Sequence, residues 1–268
     1  MNKQITLITI ILTLFVGSLT NVSGQKIMML DSTLKVNSTP MEAKRNFAGS
    51  VGRYQFGSYK IVSGKAGLTY GKSKTIKTKD PTVGFKLDSE NHFLPFIKLF
   101  NTDIESETNS KLSFLFVANE IDSVTINTST NTKSKSSPVD DETSALKYYN
   151  QVYSALISAK LDTTVWKMII VTLRGSETDI NSQPEGLLTD GVKMIGIRKV
   201  KKWDNDKNAM FNIGYEFWLD NQSIAAVQAS PDTFIKRYVW LNQNLDPYMK
   251  IILSAASASI LVRLNIIE

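Results

Sequence analysis

A chain of 268 residues with 42% hydrophobic and 21% charged content holds enough apolar material for a sizeable core, which excludes wholesale disorder. Its formal charge of +6 becomes +5 once residues 1–24 are set aside, because that stretch contains Lys3 and no acid; so mild and dispersed a balance speaks against nucleic acid as a partner. With no cysteine and one histidine, His92, the chain has no disulfides, no Cys–His catalysis and too few nitrogen or sulfur ligands for zinc.

The first 24 residues have the parts of an export signal: a positive start at Lys3, an apolar run over residues 5–16, and the small-residue site Val22-Ser23-Gly24 before Gln25. The run falls short of the about 20 apolar residues of a spanning helix, although an uncleaved anchor is the competing reading. The expectation is an exported protein, periplasmic or secreted, without a lipid anchor, since no thiol is available for acylation. Residues 25–46 read as a polar leader that packs on the domain or stays mobile. Residues 47–268 read as one domain, within the about 200–250 residues that single barrels routinely reach.

From residue 47 a series of glycines separates short aromatic and β-branched runs such as Tyr54-Gln55-Phe56 and Tyr59-Lys60-Ile61-Val62, a pattern of strands and tight turns. Gly71-Lys72-Ser73 imitates the end of a phosphate-binding loop, but Ala66 stands where that motif opens with glycine and no helical pattern follows. Further strands are predicted over residues 82–87, 93–100, 111–118 and 122–127. Residues 128–142, rich in Ser, Thr, Asn and Lys, predict a polar loop insertion. Residues 143–160 fit either a helix, through the stripe Ala145, Tyr148, Tyr149, Val152, Leu156 and Ile157, or a strand. Strands over 165–173 and 192–200 follow, then a hairpin of 210–219 and 223–229 turned by Asp220-Asn221-Gln222, and a last strand over 234–241.

The chain then predicts a terminal helix. Asp246 suits the N-cap, where its carboxylate accepts from free first-turn amides, and Pro247 suits the first helical position. From Ile251 onwards serine is the only polar residue type before Arg263, so the helix has no polar face and needs burial. A span is the competing reading, and the stretch between Lys250 and Arg263 is too short for the about 20 residues required.

The segment Gly214-Tyr215-Glu216-Phe217-Trp218-Leu219-Asp220-Asn221-Gln222-Ser223-Ile224-Ala225-Ala226-Val227, followed by Trp240-Leu241-Asn242-Gln243-Asn244-Leu245-Asp246-Pro247 and the apolar helix, resembles the end of the tubby, LURP-one and phospholipid-scramblase superfamily. The resemblance covers residues 214–268 and implies an antiparallel barrel enclosing a hydrophobic C-terminal helix. The lipid-linked members of that superfamily are intracellular and use a basic phosphoinositide pocket or cysteine acylation. This chain has an export signal and no cysteine, so the lipid chemistry does not carry over with the fold.

Candidate chemistry is sparse. His92 follows a turn-like Asp88-Ser89-Glu90-Asn91 stretch, with nothing resembling a nucleophile elbow nearby. Asp204, Asp206 and Asn208 have the alternate spacing that opens a calcium loop, but Ala209 and Tyr215 stand at its glycine and closing glutamate positions. Glu177, Asp179, Glu185, Asp190 and Glu216 are the acids available for a carboxylate-pair hydrolase. Two basic clusters, Lys72, Lys74, Lys77 and Lys79, and Arg198, Lys199, Lys201 and Lys202, suit either a solvated face or contacts to an anionic surface. Tyr148, Tyr149 and Trp203 are candidate platform aromatics.

The sequence therefore predicts a mainly β protein: an antiparallel closed barrel of ten to twelve strands around a buried C-terminal helix. The functional expectation is an exported, non-catalytic binding domain of the cell envelope without cofactor, its partner an envelope protein, a glycan or an anionic lipid surface. The alternatives are a glycan-directed carboxylate hydrolase and a peripheral membrane binder acting through the lysine clusters.

Overall fold

The structure, a computed structural model, describes residues 26–46, 53–78, 82–87, 93–98, 101–118, 122–138, 144–160, 162–175, 185–209, 212–230, 232 and 234–267. Residues 1–24, which carry the expected export signal, and His92, Lys79, Glu177 and Asp179 lie outside the described residues.

A short helix α1 (Ser32–Asn37) precedes the strands β1 (Met41–Glu42), β2 (Lys44–Asn46), β3 (Arg53–Phe56), β4 (Tyr59–Ala66), β5 (Tyr70–Thr78), β6 (Thr82–Leu87) and β7 (Phe93–Lys98). Three long strands follow, β8 (Asn101–Ala118), β9 (Asp122–Pro138) and β10 (Ser144–Ala159). The chain continues with β11 (Val165–Arg174), β12 (Gly186–Thr189), β13 (Met194–Val200), β14 (Gly214–Leu219), β15 (Gln222–Gln228) and β16 (Tyr238–Leu241), and ends in helix α2 (Pro247–Ile267).

Fourteen strands make one antiparallel sheet in the order β1-β16-β15-β14-β13-β12-β11-β10-β9-β8-β4-β3-β2, with β5 also bonded to β8; β6 and β7 form a separate hairpin. The two ends of this order, β1 and β2, are separated in the chain only by Ala43, whose N–H donates to the Arg237 carbonyl at 2.8 Å. One short segment thus faces β16 with its first half and β3 with its second, and the sheet nearly closes into a barrel. Fourteen strands exceed the ten to twelve expected, the additional ones including β1, β2, β5 and β12.

Helix α2 fills the interior. The Asp246 carboxylate accepts from the Met249 N–H at 2.8 Å, the expected cap. Residues 252–263 are buried without interruption, packed against inward residues of the wall such as Phe116, Ile126, Ile157, Met168, Ile197 and Phe217. Small residues at 255–259 let the wall approach the helix axis closely. Side-chain hydrogen bonds tie wall to helix, among them Tyr153 Oη donating to the Ser259 carbonyl at 2.9 Å and Trp166 Nε1 donating to Tyr248 Oη at 3.2 Å.

The leader divides: residues 41–46 join the wall as β1 and β2, and the part before them packs on the outside. Met28 and Leu34 join Ile213, Ala226, Tyr238 and Trp240 in a second apolar cluster on the outer face of β14–β16, so these strands are buried on both faces. Gln228 receives the leader, accepting from the Met28 N–H at 2.7 Å and donating to the Lys26 carbonyl at 3.0 Å. Contact is so close at Gly214 that a Cβ there would lie 2.5 Å from Met28 Sδ and 2.4 Å from the Val227 carbonyl oxygen.

One sequence expectation needs correction, and one open alternative is decided. Residues 128–138 are no loop insertion but the outer part of β9, hydrogen-bonded on one side to β8 and on the other to β10; residues 139–142 lie outside the described residues. Their composition looks loop-like because the strand is polar on both faces, yet Thr128, Thr130 and Thr132 recur with period two, and β-branched threonine favours extended backbone. Residues 144–159 are strand, their helix-like stripe being incidental to an inward alternation of Gln151, Tyr153, Ala155 and Ile157.

Close packing around α2 makes volume the sensitive variable. Ala256→Leu should lower stability by about 1–3 kcal/mol through overpacking. Ser257→Ala, which removes a buried hydroxyl that lacks a protein partner, should leave stability unchanged or raise it. Urea unfolding followed by tryptophan fluorescence measures both.

Candidate functional site: a projecting polar sheet

The first half of β8 pairs with β5 and its second half with β4, while β10 runs past the end of β11. The outer halves of β5, β8, β9 and β10 therefore form a four-stranded sheet that stands beyond the barrel wall. Gly67 marks the junction: its N–H donates to the Lys111 carbonyl at 2.8 Å, and a Cβ would meet the same oxygen at 3.1 Å.

Strand periodicity sorts the side chains of this sheet. On one face Gly71, Ser73 and Thr75 of β5 align with Thr108, Ser106 and Ile104 of β8 and with Thr132, Ser134 and Ser136 of β9. On the other face the register builds two transverse rows of alternating charge, Lys72–Glu107–Lys133 and Lys74–Glu105–Lys135. Tyr148 of β10 stands opposite Lys135 and continues the second row. These side chains line a shallow cleft of 610 Å³. Asn131 Nδ2 donates to Glu107 Oε1 at 3.1 Å and to Asn109 Oδ1 at 2.6 Å.

The same sheet is locked by a buried carboxylate. Asp103 on β8 accepts from Ser137 Oγ and from Lys147 Nζ at 3.0 Å, and pairs with Lys135 Nζ at 3.2 Å, so one carboxylate links β8, β9 and β10. The Ser137 hydrogen bond, followed by those of Lys147 and Lys135, holds the Asp103 carboxyl down at about 2.

What can this surface do chemically? Glu105 and Glu107 are two residues apart on one strand face, about 7 Å by strand geometry, a spacing within the range of glycosidase carboxylate pairs. They project side by side, however, instead of facing each other across a bond. The Asn131 hydrogen bond and the Lys133 charge keep Glu107 below the usual carboxylate range, the reverse of what a proton donor requires. The carboxyl that burial does raise is Glu216, on the outer wall under the leader, where its Oε1 accepts from the Asp31 N–H at 2.8 Å. Asp190 closes a surface turn by accepting from the Val192 and Lys193 amides, and Glu185 accepts from the Lys199 N–H. Among the described residues, the sequence-predicted acids Glu185, Asp190 and Glu216 are dispersed, each accepting from backbone amides.

The sequence-predicted site residues are likewise separated. Lys72 and Lys74 lie in the charge rows, whereas Lys77 falls on the opposite face of β5. Arg198 lies over the Trp218 ring at 4.1 Å, and Lys199 points inward, its ammonium pKa lowered by burial. Lys202 pairs with Asp206 at 2.9 Å, and the Lys201 carbonyl accepts from the Ala209 N–H. Asp204 pairs with Lys35 at 2.8 Å, so both carboxylates of the calcium-like trio Asp204, Asp206 and Asn208 serve lysines. No group of three His, Cys, Asp or Glu residues suited to a metal occurs among the described residues. No helix of the described residues is long and apolar enough to cross a membrane, a criterion that does not address strands.

Reading by composition missed Asp103, Glu105, Glu107, Lys133, Lys135 and Lys147. A usable signal was present: Lys72 and Lys74, Glu105 and Glu107, and Lys133 and Lys135 are three like-charged pairs at a spacing of two. Comparison with family models, with characterised proteins and with solved structures found no match.

Two pH experiments test the electrostatics. Asp103 has a folded pKa below its unfolded value, so its contribution is present above about pH 4 and lost as pH falls towards about 2. Asp103→Asn should therefore be less stable at neutral pH and lose less stability than the parent across that window, as followed by acid titration with circular dichroism. Glu216 has the opposite sign, its carboxylate being destabilised by burial. Glu216→Gln, which keeps an acceptor for Asp31, should match or exceed the parent's melting temperature at neutral pH, and that advantage should shrink as acid protonates the parent.

Proposed function

We propose that this protein is an exported, non-catalytic interaction domain of the cell envelope that engages its partner through the projecting sheet. The observation that carries the reading is the sheet itself: four strands stand past the barrel wall with a mixed-charge cleft on one face and open backbone edges. An interior packed with α2 supports a role for the outer surface, as does the dispersal of the acids. Lysines set opposite glutamates favour a patterned protein surface over an anionic lipid surface, which a field of uncompensated cations would suit better. Export rests on the N-terminal signal pattern. The enclosed C-terminal helix supports kinship with the tubby, LURP-one and scramblase superfamily, although fourteen strands depart from its roughly twelve.

Site-specific photocrosslinking in the native host tests this. A photoreactive residue in place of Tyr148, in the cleft, should yield a discrete adduct that fractionates with the envelope, while one in place of the exposed Lys167 on the barrel wall should not. No adduct from position 148, or the same adduct from both positions, would overturn the proposal.

A further inference from the structure

Strand β5 is bonded to β8 along all nine of its residues, and no other strand pairs with it among the described residues. Alternate residues of an antiparallel edge strand turn both N–H and C=O outward, and such an edge is a template for one more strand. Proteins usually blunt edges by keeping them short or bulged, or by setting charged side chains, lysine above all, along them. Edge β5 is neither short nor bulged, since its register with β8 is continuous from Tyr70 to Thr78 and residues 70–75 are exposed. What guards it is the charge of Lys72, Lys74 and Lys77, which repels a basic strand and attracts an acidic one. The other open edge of the projecting sheet, residues 144–148 of β10, is interrupted by a bulge between Leu146 and Tyr148.

What an incoming strand should look like follows from the charge rows. Crossing from β9 through β8 to β5, each row reads positive, negative, positive, and both end on a lysine at the edge. The next strand is favoured if it presents carboxylates two residues apart opposite Lys72 and Lys74, because opposite charges directly across a ladder attract and like charges repel. A second copy of this chain is a poor occupant: antiparallel pairing of two β5 strands centred on Ser73 would set Lys72 against Lys74 twice.

We propose that the open edge of β5 is a docking site for an extended acidic segment of a partner protein, which adds to the sheet as a further strand with carboxylates at alternate positions. Backbone hydrogen bonds supply attachment, and the two lysines select the charge pattern. This rests on the reading of the projecting sheet as the interaction element, and narrows it to one edge and one class of ligand.

The test uses the intact protein and a synthetic peptide of nine residues alternating Glu with Thr, so that every carboxylate lies on one face of a strand. Titration calorimetry should show binding that weakens by about tenfold in the Lys72→Thr, Lys74→Thr double variant, which loses two cross-strand charge pairs but keeps strand-forming side chains. A peptide of the same composition with its glutamates in one block should bind about tenfold more weakly too. Hydrogen exchange on the unmodified protein should show alternate β5 amides slowed by the alternating peptide, a readout that depends on no variant folding. The proposal is overturned if the alternating peptide does not bind, if the block peptide binds equally well, or if binding leaves β5 exchange unchanged. Envelope adducts at position 148 without peptide addition at β5 would also refute the edge site while sustaining the sheet as the interaction element.

Discussion

An apolar helix with no polar face has to be enclosed, and the rest of the chain is arranged around that requirement. The wall supplies inward aliphatic and aromatic side chains along α2, and the last buried turn is received by polar groups instead. Arg263 is buried there, with Nε donating to Gln151 Oε1 at 3.2 Å, Nη2 to Thr172 Oγ1 at 2.8 Å and Nη1 to Tyr215 Oη at 3.3 Å, its guanidinium 5.2 Å from the Tyr153 ring centre. A buried cation held by neutral acceptors is costly, and here two stabilising terms act together: directed hydrogen bonds and a ring face. Arg263 thus marks where the dry interior of the barrel gives way to a polar one.

Length then explains the projecting sheet. A helix of 21 residues extends about 31 Å, and the 10 residues of β11 span about 33 Å, so wall and helix match there. Strands β8, β9 and β10 have 18, 17 and 16 residues, about 53–59 Å when extended. Even tilted as barrel strands are, they outrun the helix that their inner face would otherwise cover. Beyond it there is nothing apolar to pack against, and the inward positions change from Phe116, Phe114 and Leu112 to Ser110, Thr108 and Ser106. The overhang is polar on both faces because the core has ended.

The same boundary separates what the sequence disclosed from what it concealed. Strand–helix organisation was legible where burial imposes a pattern: the Asp246 cap, the unbroken apolar helix and the hairpin of β14 and β15 all follow from where water is excluded. The outer part of β9 reads as loop, and β5 and the outer part of β8 carry no strand pattern of their own, since Ser, Thr, Asn and Lys on both faces leave no apolar alternation to detect. The knot at Asp103 was illegible for another reason. Its partners Lys135, Ser137 and Lys147 come from two further strands, and only the register brings them to one carboxylate.

A sheet polar on both faces has a problem that a buried one does not, because a slip in register would expose no apolar side chain and so meets little resistance. In the overhang that resistance has to come from charge. Slipping β8 by two residues against β5 would set Lys72 against Asn109 in one direction, and in the other would bring Asp103, already held by Ser137, Lys135 and Lys147, opposite Lys74; a slip of one would put the lysines and glutamates on opposite faces. The Asp103 knot fixes β9 and β10 to the same frame. Alternating charge is therefore first a device for internal register. Because the ladder ends on lysines at an open edge, the rule that pins the last internal pair also specifies what the next strand must carry. In this overhang, structural specificity and recognition of a partner draw on one and the same pattern.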